Sequence, residues 1–390
     1  MSKQNGKIIP VAIFDISSSS VAGSHTLINK TGEGKSNVSF LAFSRKFLEP
    51  KEDIDIARFV SDNLASLESV IATLQKADNH KPKEVFVLLS SPWFVSQTRN
   101  IVYTKTSPFV CTQKLIDSLI QKEIDFVVEH DMERFGSMGT DGKIIEKQIS
   151  KITLNGYATN NPFNKKTTSL EISILVTVSP NKIVKEFISK IQKAYGRPKI
   201  TFATSPYATF IATRDFNNAP EELLIIDAGE ETTDIAFIKN HIFLYQQSFP
   251  IGFYELYRKI SASNHGTLLE TRALVETFRL GKLSAQITSN LQKTTEDFGE
   301  AWGNKLKESL QISQNFKIPE NIYIISMAPF TSFFLSYVKN SEFIKNFISG
   351  TKPNTSEVES TLFTSHISSI DPENIDNTLT VGALFASRVL

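Results

Sequence analysis

Two stretches of the chain share one hydrophobic pattern. An apolar run from Ile8 to Phe14, with Pro10 inside it, ends at Asp15-Ile16; four serines follow, and apolar and polar residues then mix across 21–29. A Gly-rich stretch at 31–35 leads into a third run at 38–43. Short runs broken by turn residues predict a meander of three strands. Ile56, Phe59, Val60, Leu64, Leu67, Val70, Ile71 and Leu74 then recur three and four apart, which predicts an amphipathic helix over about 53–77. Residues 85–89 are apolar throughout, as in a strand buried on both faces of a parallel sheet. This β-β-β-α-β order differs from the βαβ opening of a dinucleotide-binding fold.

From 94 to 180 the pattern changes. A helix at 112–128 opened by Thr112, a polar loop at 136–142, and strands at 143–154 and 170–178 predict an inserted α+β subdomain. The two strands are joined through Asn155-Gly156 and the polar stretch 160–168. A helix at 180–192 and a strand at 199–203 return the chain to its main body. At Leu223-Leu224-Ile225-Ile226-Asp227 the opening pattern restarts, followed by a turn and strands at 235–239 and 242–248. Helices at 252–262 and 267–280, an amphipathic stretch to 314, a strand at 322–325, a loop at 326–330 and a helix after Thr380 complete the order. The echo between 8–43 and 222–248 indicates an internal duplication. The chain therefore divides into a first lobe, 1–93, an insertion, 94–180, a return with a connecting segment, 181–221, and a second lobe, 222–390.

Composition narrows the function. A length of 390 residues calls for two or more lobes. Forty-two basic and 41 acidic residues leave a net charge of +1, so no global field draws nucleic acid or an anionic bilayer. The single Cys111 excludes an intrachain disulfide and a thiolate zinc cluster, and the six histidines form no i,i+4 pair, so any metal is expected on oxygen ligands. No run of about 18 apolar residues occurs, and a soluble, cytoplasmic protein without its own membrane anchor is expected. Gly34-Lys35-Ser36 looks like the end of a P-loop, but Asn29 stands where the earlier glycine is required and no strand-loop-helix context surrounds it; it reads as a hairpin turn.

The candidate chemistry lies at the two acidic strand ends. Asp15-Ile16-Ser17-Ser18-Ser19-Ser20 and Asp227-Ala228-Gly229-Glu230-Glu231-Thr232-Thr233-Asp234 each place an aspartate after an apolar strand and before a tight turn. One such turn commonly only caps itself; two, heading similar meanders, point to paired loops across a cleft. Backbone N–H groups and hydroxyls of Ser17, Ser18, Ser19, Gly229, Thr232 and Thr233 suit the oxygens of a triphosphate. Asp15 and Asp227 suit a hydrated magnesium ion, which keeps several waters.

These motifs resemble the phosphate loops of the actin, sugar-kinase and heat-shock-chaperone ATPases. The chain looks most like the FtsA/PilM branch, through Ser248-Phe249-Pro250-Ile251-Gly252 after the second loop, Thr204-Ser205-Pro206-Tyr207-Ala208 as connecting segment, and Ile152-Thr153-Leu154-Asn155-Gly156-Tyr157 in the insertion. The resemblance implies an α/β, actin-like (ribonuclease H-like) duplicated fold with two lobes around a nucleotide cleft. The insertion would correspond to the displaced 1C subdomain, used for contacts between protomers or with partners. It further implies ATP with Mg2+ as ligand and Ser326 and Met327 on the adenosine side. A cytoskeletal or scaffolding role in cell division or pilus assembly follows, with self-association, a protein partner, and recruitment to the inner membrane face by that partner. The sequence departs from the pattern at Ser17, where a glycine is usual, at Glu230-Glu231, where small residues are usual, and at Ser326-Met327-Ala328-Pro329-Phe330, where consecutive glycines are usual. Weak ATPase activity, a pseudo-ATPase scaffold and a small-molecule kinase all remain open, since no water-orienting base can be assigned.

Overall fold

The computed structural model describes residues 7–30, 36–49, 51, 56–132, 135, 141–214, 219–280, 282–312, 317–327, 330–348, 352–358, 363, 366–369 and 376–390. The turn expected at 31–35, most of the loop expected at 136–142, Ala328, Pro329 and Gly281 lie outside them.

The first lobe opens with strands β1 (Lys7–Ile16), β2 (Ser20–Lys30) and β3 (Ser36–Phe47), then helix α1 (Ile56–Ala77) and strand β4 (Glu84–Leu89). The insertion follows with β5 (Val95–Val110), α2 (Gln113–Asp131), β6 (Gly142–Leu154), β7 (Tyr157–Ala158) and β8 (Lys166–Pro180). Helix α3 (Asn181–Tyr195), strand β9 (Lys199–Thr204) and helix α4 (Ser205–Arg214) lead to the second lobe. That lobe holds β10 (Leu223–Ala228), β11 (Thr233–Lys239), β12 (Ile242–Phe249), α5 (Phe253–Asn264), α6 (Leu268–Arg279), α7 (Ala285–Ile312) and β13 (Asn321–Ser326). It continues with α8 (Thr331–Asn340), α9 (Glu342–Phe347), β14 (Asn354–Glu357), β15 (Ile367–Ser369), which joins the first sheet, and α10 (Asn377–Val389).

Among the described residues the strands form three sheets, ordered β15-β3-β2-β1-β4-β9, β12-β11-β10-β13-β14 and β5-β8-β6-β7. Apart from β15, the first two are the same sheet twice. Each has an antiparallel meander whose first strand pairs in parallel with the strand after a helix, and that strand pairs in parallel with the next. The duplication expected from the sequence is therefore present, and the fold is the expected α/β, actin-like one. The strand β5 was not anticipated. Its run Ser96-Gln97-Thr98-Arg99-Asn100 carries little apolar signal, and its pairing with β8 supplies what its own sequence does not.

Helices cover both faces of each main sheet. Helices α1 and α3 close the outer face of the first around Phe14, Trp93 and Phe187. Helix α7 closes the outer face of the second through Phe298, Trp302 and Leu306. Between the lobes, α4 and α10 pack on each other in one shared core that includes Ile13 and Leu88 from the first sheet and Ile225 and Phe243 from the second. Approach at this layer is tight: a Cβ on Gly382 of α10 would lie 2.6 Å from Ile13 Cγ2. The last helix is a core element, with Leu379 to Ser387 buried.

The insertion has its own core, where Ile116, Ile120 and Ile124 of α2 meet Ile172, Ile174 and Val176 of β8. Its other end is built into the junction of the lobes. Glu146 of β6 is buried and accepts from the Thr204 N–H at 2.6 Å, the Thr204 hydroxyl at 2.9 Å and the Thr177 hydroxyl at 3.3 Å. Gln148 donates to the Tyr207 hydroxyl at 2.7 Å, and the Thr98 hydroxyl donates to the Leu244 carbonyl of β12 at 3.0 Å.

Burial raises the Glu146 carboxyl to about 7, although bonds from Thr204 and Thr177 act in the opposite sense. Its folded value lies above the unfolded 4.5, so the native chain binds more protons between those values and stability falls as pH rises through that window. Glu146→Gln should match the wild type near pH ~5 and be the more stable protein near pH ~8, by on the order of 1.4 kcal/mol for every tenfold by which folding tightens the hold of Glu146 on its proton. Urea midpoints at both pH values check this; a difference independent of pH contradicts it.

Candidate functional site

Strands β1 and β10 end on opposite sides of one cleft of about 490 Å³. Their aspartates sit at equivalent positions in the repeated sheets, which is why the two turns face each other. Asp15, Ser17, Ser18, Asp227, Gly229, Thr232, Ser326 and Met327 all line this cleft. Ser19 does not; it is buried behind the first turn. Thr233 does not either, because its hydroxyl donates to the Ile251 carbonyl at 2.8 Å and accepts from the Trp302 indole at 2.9 Å.

The first turn largely satisfies itself. Ser17 N–H donates to the Ser20 carbonyl at 3.0 Å, and the Ser17 hydroxyl accepts from the Ser20 N–H at 3.1 Å and the Ser19 N–H at 3.4 Å. A glycine at this position would leave those N–H groups open to an anion. The Trp93 indole, buried between Phe59 and Phe187, fixes the turn from behind by donating to the Ser17 carbonyl at 3.1 Å.

The second turn is held by helix α5. The N–H groups of Phe253 and Tyr254, at the start of that helix, donate to the carbonyls of Gly229 and Glu230 at 3.1 and 2.8 Å. A side chain at Gly252 would lie 2.3 Å from the Glu230 carbonyl, so the close approach requires glycine there. Within the turn Gly229 N–H donates to the Thr232 carbonyl at 3.0 Å, and the Thr232 hydroxyl donates to the Ser91 carbonyl of the first lobe at 3.0 Å. Ser326 donates to the Ala228 carbonyl at 2.8 Å. Phe253, stacked on Phe330 at 4.2 Å, and Met327 supply the apolar side of the cleft.

Acidic side chains dominate the centre. Asp227, Asp234 and Glu230 are buried, and burial raises the carboxyl of each, that of Asp227 well above its ordinary value, with the neighbouring Asp234 acting in the same sense. Asp234 is held across the two lobes by the Ser91 N–H at 3.0 Å, and within its own lobe by the Ser248 hydroxyl at 2.5 Å. Glu231 points outward into a two-pronged ion pair with Arg258 at 2.7 and 3.2 Å.

Arg45 of β3 was not anticipated, nor were Asp376 and Thr378. Its guanidinium donates to Asp15 at 2.8 Å, to Asp376 at 2.6 and 3.0 Å, to Thr378 at 2.6 Å and to the Ser20 hydroxyl at 2.5 Å. Asp376 caps α10 by accepting from the Thr378 and Leu379 N–H groups. Burial acts to raise the Asp376 carboxyl, but the Arg45 charge holds it at about 2. The available signal was Asp376-Asn377-Thr378 before an apolar run, a helix-start pattern; an arginine on a strand carries no comparable mark.

This donor set fits a hydrated magnesium ion at Asp227, whose neighbouring carboxylate a cation would relieve, while Asp15 already carries Arg45 and accepts from Thr378 at 2.8 Å. Among the described residues no group of three or more His, Cys, Asp or Glu is arranged to hold a metal by itself.

No protein-family model matches the chain, and no curated protein does. Solved structures do. The chain is similar to a PilM-PilN type IV pilus biogenesis complex at 14% identity and a TM-score of 0.61, covering 97% of this chain and 96% of that one. An ethanolamine utilization protein EutJ from Carboxydothermus hydrogenoformans matches at 11% identity and a TM-score of 0.45 over 97% and 88%. A Bacteroides thetaiotaomicron protein with actin-like ATPase fold and unknown function matches at 11% and 0.39 over 99% of both chains.

Removing one partner of a buried, hydrogen-bonded ion pair leaves the other uncompensated. Arg45→Met should destabilise the protein by about 3–5 kcal/mol, read as a lowered urea midpoint; a change below about 1 kcal/mol, the size of an exposed pair, contradicts the assigned network.

Proposed function

We propose that the chain is an actin-like scaffolding component of a multiprotein assembly of the pilus-biogenesis type, which binds a magnesium-nucleotide in the cleft between its lobes. The observation that carries this reading is the alignment of nearly the whole chain, insertion included, with the PilM-PilN structure at a TM-score of 0.61. The cleft supports the nucleotide part. The two turns that end equivalent strands meet there, with an apolar side at Met327 and Phe253 for a base and an acidic side at Asp227 for the cation. Magnesium would supply charge neutralisation of phosphate oxygens, and Asp227 would hold it through its waters.

The insertion is the proposed partner surface. Its sheet exposes Val102, Ile149 and Tyr157, the last 81% exposed, while its opposite end is bonded to both lobes. Movement of the lobes around a ligand therefore moves that surface, which gives nucleotide state a route to partner binding or self-association. No described helix is long and apolar enough to cross a membrane, so contact with a membrane would come through the partner. A pseudo-ATPase scaffold is the second reading, favoured by the many cleft hydroxyls and N–H groups already bonded within the protein.

Ligand binding to the folded state alone stabilises it by about 2.7 kcal/mol at a hundredfold excess over Kd. Thermal unfolding should shift upward with an adenine nucleotide and magnesium together, less with either alone, and not in Asp227→Asn. No shift under any of these conditions rejects the nucleotide reading in favour of the pseudo-ATPase.

A further inference from the structure

Glu230, between the two strands of the second turn, lines the cleft with a carboxylate that no ion pair holds among the described residues. It is 4% exposed, and its Oε2 lies 3.5 Å from the Ser17 hydroxyl of the first turn. Its carboxylate lies close to its own backbone N–H. Beside it, the Glu231 N–H donates to the Ser18 hydroxyl at 3.3 Å. In the first turn the Ser17 hydroxyl already takes the N–H groups of Ser19 and Ser20.

The place of this carboxylate along the cleft decides its consequence. A ligand whose base lies at Met327, after β13, runs past the end of β10 at Asp227 and Gly229, since β13 and β10 are adjacent in the sheet. The first turn stands beyond that, so Ser17 and Glu230 mark the far end, where the last group of a phosphate chain would arrive. Glu230 cannot be carried aside by its backbone. Phe253 and Tyr254 bond the turn carbonyls, and Gly252 packs against the Glu230 carbonyl too closely for any other residue.

We propose that Glu230 occupies the terminal-phosphate position as an internal anion, and that the ligand of this cleft is a nucleoside diphosphate in preference to the triphosphate. The proposal rests on the nucleotide reading of the cleft. A third phosphate would have to lie against a buried carboxylate, and juxtaposed like charges out of water strongly disfavour binding. A diphosphate ends short of it and keeps the clasp between Glu230 and the first turn.

Calorimetric titration with ADP and ATP, each with magnesium, tests this on the full chain. The wild type should bind ADP at least about tenfold more tightly than ATP. Glu230→Ala should gain about tenfold or more in ATP affinity while its ADP affinity changes less than about threefold. Glu230→Gln keeps the shape and removes the charge, so it should show the same change in the ratio even if the alanine variant folds poorly. Equal affinities for the two nucleotides in the wild type, or an unchanged ratio in both variants, overturns the proposal and leaves the nucleotide cleft standing. Failure of all three proteins to bind either nucleotide overturns the cleft reading and this proposal with it.

Discussion

Placing several carboxylates at the meeting point of two lobes is the constraint around which this molecule is arranged. Asp15, Asp227, Glu230 and Asp234 are all buried at or beside one cleft. Each would repel the others in a low-dielectric interior, and each is answered differently. Asp15 has Arg45, Asp234 has N–H and hydroxyl donors from Ser91 and Ser248, and Asp227 has the Ser205 hydroxyl nearby, which acts to lower its carboxyl. Glu230 faces the serines of the opposite lobe. Two of these answers, those to Asp234 and Glu230, cross the cleft. The electrostatic problem and the closure of the lobes are therefore the same interaction, and a cation entering near Asp227 would change both.

The shared core behind the cleft sets the limits of that change. Helices α4 and α10 form one layer with both sheets, so the lobes can rotate about it but cannot separate without exposing it. Arg45 ties the cleft to this layer directly, because Asp376 is at once its ion-pair partner and the cap of α10. The insertion joins through Glu146, bonded to the segment where β9 turns into α4. Polar contacts thus tie the cleft and the insertion to the central helices, whose own packing on each other is apolar.

Much of this fold was legible because its signals are local. The two acidic strand ends, the apolar meanders and the periodic helix α1 each declare themselves within a few residues, and their repetition reveals the duplication. Strand β5 was hidden because its polar residues gain their structure from β8. At the site, sequence located both turns but not the direction of their side chains. Glu230 and Glu231 are adjacent and identical, yet one enters the cleft and the other pairs with Arg258 on the outside. Thr232, in the turn, lines the cleft while Thr233, the first residue of β11, bonds into the core. Arg45 was invisible for a related reason: two of its partners, Asp376 and Thr378, lie at the far end of the chain.

Hydrogen exchange on the intact chain, with and without ADP and magnesium, tests the central claim that the two turns form one ligand-binding clasp. The account predicts added protection at residues 15–20 and 227–234 together, with a smaller change where β6 of the insertion meets Thr204. Protection confined to one turn, or found only at a surface remote from both, would contradict it.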